Sequence, residues 1–217
     1  MDFDFIMRSL PVFAKALYLT LHLSFFGILF SIILGFFIAL IQFYKIRILD
    51  IIASIYIELS RNTPLLIQLF FLYYGLSQIG FKLGSYTCAL IGVVFLGGSY
   101  MAEAFRAGLE SVGKVQIESG RSLGFGEISL IFYIILPQSL VVSLPYIGAN
   151  AIFLLKETSV VSAIALADVL YVTKDLIGSY YKTNETLLLL VMCYLVVLLP
   201  LSFLFYWLEK RYKRIIG

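Results

Sequence analysis

From Val12 to Tyr44 the chain carries a single ionised side chain, Lys15, in an otherwise apolar run. As an α-helix this stretch would reach about 45 to 50 Å, more than the roughly 30 Å hydrocarbon core of a bilayer, so it is long enough for a tilted span. It is too long for the core of a signal peptide. Asp2 and Asp4 precede any basic residue, against the positive start that a secretory signal requires, so the N-terminus is expected to stay in the mature protein. Composition generalises the point. Of 217 residues 61% are hydrophobic and 13% charged, against roughly a quarter charged in soluble domains. With a mean hydropathy of +0.99, a water-soluble globule would lack polar side chains to cover its surface. The chain is read as an all-α integral membrane protein forming a single transmembrane domain over residues 1–217, with little room for a catalytic extramembrane domain.

The remaining apolar runs divide the chain into spans. A second region, Ile48 to Gly80, is interrupted by Glu58, Arg61, Asn62 and Pro64. Its clean part, Leu65 to Ile79, would reach only about 22 Å, so residues before Pro64 must supply the rest of a crossing. A third span is expected from about Tyr86 to Phe105, with Gly92, Gly97 and Gly98 allowing close helix approach. The stretch from Arg106 to Gly126 is the most polar and is expected to leave the bilayer as the longest hydrophilic loop, about residues 106–127. Apolar character returns from Ile128 to Leu155, with kinks expected at Pro137 and Pro145. The piece Val160 to Val172 is too short to span and reads as a re-entrant or surface helix. A polar loop, Thr173 to Glu185, precedes the last span, Thr186 to Trp207, and a tail with Lys210, Arg211, Lys213 and Arg214. The expected count is five transmembrane helices.

An odd count puts the termini on opposite sides. Lys45, Arg47, Lys114, Arg121 and the basic tail then share one side, which is cytoplasmic by the positive-inside rule, and the N-terminus lies outside. The basic residues are scattered through loops, and the formal charge of +3 reads as topology rather than nucleic-acid affinity.

Enzyme chemistry finds little support. The single histidine, His22, sits near one end of the first span and reads as a packed or interfacial side chain. Ser99 follows Gly97 and Gly98 but has no histidine base nearby in sequence and no nucleophile turn, so helix packing is its expected role. Cys88 and Cys193 lie inside apolar runs without metal-ligand or disulfide spacing. No phosphate-binding glycine loop is present, so an energy source, if one is used, must come from another subunit.

The polar loop is more informative. On a helix, Val115, Ser119 and Leu123 share one face, while Glu118 and Arg121 stand at i, i+3 spacing and are expected to pair. Gly113 and Gly124 bound this helix, which presents small residues at its middle as a knob for a partner's groove. Glu118-Ser119-Gly120, Gly124, Ile134, Leu136 and Pro137 stand in the register of the EAA-x3-G-x9-I-x-LP signature, and the chain resembles the permease subunits of type I ATP-binding-cassette importers. Ser119 and Gly120 replace the two alanines and keep both positions small. Arg61-Asn62-Thr63-Pro64-Leu65-Leu66 with Gln68, Tyr100 to Arg106, Leu136-Pro137-Gln138 and Leu155-Lys156-Glu157-Thr158-Ser159 are similar to the polar amino-acid branch, with Asn62 where glycine is common. The resemblance runs from about Lys15 to Leu208.

The resemblance implies a MetI-like permease core, about residues 15–208, in the bacterial cytoplasmic (inner) membrane. It implies a dimer of cytoplasmic ABC ATPases that carry ATP and Mg, with no cofactor on this chain. It also implies a second permease subunit, identical or related, an extracytoplasmic amino-acid-binding protein, and surrounding membrane lipid. Glu118, Ser119, Gly120, Arg121, Leu123 and Gly124 would form the coupling helix, with Gly113, Gly124 and Gly126 as hinges. An ATP-independent secondary transporter or channel subunit is the alternative; no internal repeat is seen in the sequence to favour it. For the substrate path the intramembrane polar residues are Arg61, Asn62, Thr63, Glu103, Lys156 and Glu157. Arg61 would take an α-carboxylate, and Glu103 or Glu157 an α-ammonium. Against this, Glu58 with Arg61 and Glu103 with Arg106 have the spacing of neutralising i, i+3 pairs, the reading favoured for Glu103, and Lys156 can snorkel outward.

Overall fold

Backbone that cannot reach water closes its hydrogen bonds within a helix, and helices account for the regular structure among the described residues. The computed structural model describes residues 1–216, with side chains through residue 213, so the Arg214 side chain lies outside the described residues. In chain order the helices are α1 (Phe3–Phe43), α2 (Arg47–Asn62), α3 (Leu65–Gln78), α4 (Ser85–Ser111), α5 (Lys114–Ser122), α6 (Glu127–Ile164), α7 (Val169–Tyr180) and α8 (Thr183–Ile216). By length and composition α1, α4, α6 and α8 can each cross a membrane, whereas α3 is a shorter apolar helix. The interrupted second region thus becomes α2 and α3, separated where Pro64 caps α3 and disfavours helical backbone at Thr63.

Three expectations need correction. The run Val160 to Val172 is not one helix. The end of α6 tightens into 3-10 turns over Thr158–Ile164, Ala165 takes a left-handed φ of 56°, and α7 begins after Asp168. Asp168 accepts the Tyr171 N–H at 2.8 Å and so caps α7. The expected polar loop from Thr173 to Glu185 is largely helical, because α7 runs to Tyr180. Its buried positions Val169 and Thr173, with Val172 and Leu176 packed beside them, form a stripe that Lys174 and Asp175 mask in the sequence. The expected loop from Arg106 begins later, since α4 continues to Ser111 and Arg106 bonds Glu110 one turn on at 3.2 Å. Pro137 and Pro145 lie inside an unbroken α6, whose π turn at Ile131–Ile135 precedes the first of them.

The chain forms two compact units. One comprises Met1–Leu29, Thr63–Phe95 and Ile152–Leu201. Its core joins Phe13 and Ala16 of α1 to Val169 of α7 and Leu189 of α8, and Gly92 of α4 lies so near Leu69 that a Cβ there would stand 2.8 Å from its δ-methyl. His22 Nδ1 lies 2.7 Å from the Tyr86 hydroxyl in this unit, consistent with a packed interfacial role. The other unit comprises Phe30–Asn62, Leu96–Ala151 and Ser202–Gly217. Its core gathers Ile38, Ala53, Ile57 and Ala102, and Tyr56 and Leu34 press against Gly98 of α4. Apolar side chains gain little from leaving lipid, so small-residue approach and interhelical hydrogen bonds carry much of the association, each such bond contributing about 0.6 kcal/mol. Ser60 donates to Ser99 at 2.9 Å, and Asn150 donates to the Tyr100 carbonyl at 3.0 Å. Ser99 in turn donates to the Leu96 carbonyl at 2.7 Å and is fully buried, a packing role.

Candidate functional site

The signature residues fold as one piece. Gly113 provides an extended cap for α5, and beyond Ser122 the chain reverses at Gly124, whose φ of 84° strains L side chains. The reversal returns the chain to α6. There Gly120 is buried, and a Cβ on it would lie 2.6 Å from the δ-methyls of Leu130 and Ile134. Ile134 belongs to the same signature, so its distance from the small position reflects direct packing across the turn. Gly120 therefore faces its own chain, which corrects the picture of small residues in the middle of a projecting knob. The outward face carries Ser119 flanked by Val115, 73% exposed, and Leu123, 78% exposed. Gly126 is extended at the start of α6, whereas Gly124 alone of the three expected hinges has positive φ.

The expected Glu118–Arg121 pair is not formed. Arg121 Nε instead donates to Glu127 Oε1 at 2.9 Å, and its second nitrogen reaches Oε2 at 3.2 Å. This bidentate bond raises the Arg121 pKa further, keeps it charged, and ties α5 to the start of α6. Helical spacing does not relate residues 121 and 127, because the turn at Gly124 lies between them. Glu118 stays exposed beside a cleft of about 520 Å³ lined by Tyr44, Lys45, Leu109, Lys114 and Ile117.

In the same unit, Arg61 at the end of α2 is bound to Glu103 of α4, and its guanidinium stacks over the Tyr100 ring at 5.1 Å. Glu103 also lies 3.7 Å from Arg106, which pairs with Glu110 at 3.2 Å. The ladder alternates in sign along α4 and leaves Arg61 and Glu103 about one-third exposed. Two expectations meet different outcomes here. The i, i+3 approach of Glu103 to Arg106 is present, but the Glu58 carboxylate is held by the Asn62 amide at 2.9 Å instead of by Arg61. Tyr100 is read in the sequence only as the start of the segment Tyr100 to Arg106 and not as a candidate path residue, although its place one turn before Glu103 was the available signal.

Thr63, Lys156 and Glu157 belong to the first-described unit. The Thr63 carbonyl, at the break between α2 and α3, accepts from Gln68 Nε2 at 3.0 Å. Lys156 is exposed and Glu157 half-buried at the end of the α-helical part of α6, next to the buried Thr158. The six residues expected to line the path are thus distributed over both units, and among them Arg61 and Glu103 are joined by an ion pair.

Comparison with known proteins agrees with this architecture. The family model described as binding-protein-dependent transport system inner membrane component matches residues 27–214. The probable amino-acid ABC transporter permease protein PatM of Vibrio harveyi is 32% identical over 216 residues, covering 98% of this chain and 97% of that one. A chain from the crystal structure of an amino acid ABC transporter with histidines superposes with a TM-score of 0.88 at 34% identity, covering 97% of this chain and 99% of that one. A chain of the MetNI methionine ABC transporter in an inward-facing conformation shares the fold at a TM-score of 0.76 and 16% identity, over 97% of this chain and 98% of that one. The chain belongs to the family of inner-membrane components of binding-protein-dependent transport systems.

Proposed function

We propose that this chain is the permease subunit of an ATP-driven amino-acid importer, in which α5 is the coupling helix for a cytoplasmic ABC ATPase. The observation that carries the reading is the two-sidedness of α5. Gly120 is seated on Leu130 and Ile134, and Arg121 is held by Glu127, while Val115 and, just past the helix end, Leu123 project among the exposed polar side chains of Lys114, Gln116 and Glu118. Exposed apolar side chains on a short helix braced from behind suit docking into a partner's groove. A rigid α5 would pass the partner's movement to α6. In this reading ATP and Mg reside on the partner, a second permease subunit completes the path, and an extracytoplasmic binding protein delivers the amino acid.

The substrate path would be lined by Arg61, Asn62, Thr63, Glu103, Lys156 and Glu157. Arg61 enters this role already neutralised by Glu103, so a substrate carboxylate would replace Glu103 at the guanidinium and release that carboxylate toward an ammonium group. The basic loops and tail support a cytoplasmic C-terminus, with the N-terminus outside.

The test is purification in mild detergent after expression with the genes that neighbour it, followed by mass spectrometry of the intact complex. An ATPase pair is expected with the unmodified chain and is expected to be lost with Leu123→Arg, which puts a charge in place of one of the two exposed apolar side chains of the docking face. A chain that runs alone, or with itself only, would favour the channel or secondary-transporter alternative.

A further inference from the structure

The helices α6 and α8 touch closely at Gly148 and Phe205, where a Cβ on the glycine would stand 2.9 Å from the phenylalanine ring. Further along, toward the start of α6 and the end of α8, a cleft of about 590 Å³ lies between them. One wall is a single stripe of α6, Phe132, Leu136 and Leu140 at successive i, i+4 positions, about 12 Å along the axis. The other wall is Leu208, Arg211 and Tyr212 of α8. The cleft is therefore apolar along its length and cationic at one end.

The aromatic residues at that end give the depth. Tyr133 is 75% exposed, and Tyr206 and Trp207 project from the facing helix, the composition of a headgroup-level belt. Arg211 stands one turn beyond Trp207 with its guanidinium 5.2 Å from the indole centroid. Lys213 is held by Glu209 at 2.7 Å, whereas among the described residues no carboxylate pairs with Arg211 or Lys210. A helix crossing the bilayer thus presents an apolar groove about 12 Å long, enough for the part of an acyl chain nearest the headgroup, that ends at a forked donor with no carboxylate partner among the described residues, at the level of lipid phosphates.

We propose that this cleft is a binding site for an anionic glycerophospholipid, with an acyl chain along Phe132, Leu136 and Leu140 and the phosphate on Arg211. Charge complementarity selects this occupant over a zwitterionic lipid, since Arg211 offers paired N–H donors and the cleft offers no carboxylate to a choline or ethanolamine group. The site stands on the chain's membrane-spanning character and is independent of the ATPase and substrate readings.

Trp207 is the only tryptophan in the chain, so its fluorescence reports directly on the neighbourhood of Arg211. The full chain is reconstituted in phosphatidylcholine vesicles, and quenching is titrated with brominated phosphatidylglycerol and, separately, with brominated phosphatidylcholine. The anionic quencher is expected to associate about fivefold more strongly, the increment for one near-surface cation. Arg211→Gln is expected to bring the ratio near one, Arg211→Lys to retain part of it, Lys210→Gln to leave most of it, and Leu140→Phe to reduce it by filling the groove. Taking the ratio within each variant removes the direct effect of Arg211 on the indole, and gel filtration checks that each variant is folded. Equal quenching by both lipids overturns the proposal. So does a preference that survives Arg211→Gln but falls with Lys210→Gln, which would mark a diffuse surface field. Absence of quenching by either lipid overturns it as well, because another protein segment would then cover the cleft.

Discussion

Arg61 illustrates how one side chain can answer two questions differently. Its pairing with Glu103 is about one-third exposed on both partners, where an ion pair contributes about 0 to 1 kcal/mol. If its role is in the path, Arg61→Gln should leave the melting temperature of the purified complex within a few degrees while lowering amino-acid uptake in vesicles by more than tenfold. A parallel loss of both would reduce Arg61 to a structural tie. Asp168 makes the opposite kind of prediction, about stability alone. It is 1% exposed; burial pushes its carboxyl up to about 6 from an ordinary 3.8, and its Oδ2 has no hydrogen-bond partner among the described residues. The folded chain therefore keeps a proton that the unfolded chain releases, and this stabilisation is fully present below about pH 4 and lost as pH rises through about 6. Asp168→Asn keeps an acceptor for the Tyr171 N–H and removes the buried charge. Thermal unfolding in detergent should lose its dependence on pH between about 4 and 6 in the variant, with a midpoint at pH 7.5 no lower than that of the parent chain.

At the scale of elements, the packing of α5 on α6 gives a graded prediction. The atoms that would meet a Cβ at Gly120 are terminal methyls of Leu130 and Ile134, which can rotate aside, so Gly120→Ala should retain ATPase assembly. Gly120→Leu has no such escape and should lever α5 away from α6; co-purification of the ATPase with each variant measures the difference. The long elements were legible because an apolar run fixes its helix by itself, as in α1 and α8. The signature could be read in its register, and Gly120 on Ile134 supplies a physical reason for part of that spacing. Three features stayed hidden. The hydrophobic stripe of α7 is short and interleaved with Lys174 and Asp175, so composition reads as loop. The 3-10 ending of α6 depends on Ala165 in a left-handed conformation that no local residue type announces. Arg121 chose Glu127 over Glu118 because the reversal at Gly124 brings the later carboxylate into bidentate reach, a relation that helical spacing cannot express.

For the whole molecule the open variable is orientation, and the charges argue it. Lys45, Arg47, Lys114, Arg121, Lys210, Arg211 and Lys213 fall in connections or at an end that the expected odd number of crossings would put on one side. The other side holds Arg8, Lys15, Lys82, Lys174 and Lys182, accompanied by Asp2, Asp4, Asp175 and Glu185. Part of that second set is locally neutralised, since Lys182 lies 3.1 Å from Asp2. The retention signal is therefore stronger on the first side, and Leu123 should face the cytoplasm while Tyr181 faces outward. Both positions suit labelling, being 78% and 87% exposed, whereas Cys88 is buried and Cys193 half-buried, so Cys193→Ser gives a quiet background. A membrane-impermeant maleimide added to intact spheroplasts should label Tyr181→Cys and spare Leu123→Cys, and inverted vesicles should reverse the pattern. Labelling of both in intact spheroplasts would require an even number of crossings between residues 123 and 181, and would put the proposed docking face of α5 outside, where a cytoplasmic ATPase could not reach it. Protection of both there and labelling of both in inverted vesicles would keep α5 cytoplasmic but overturn the outward placement of Tyr181.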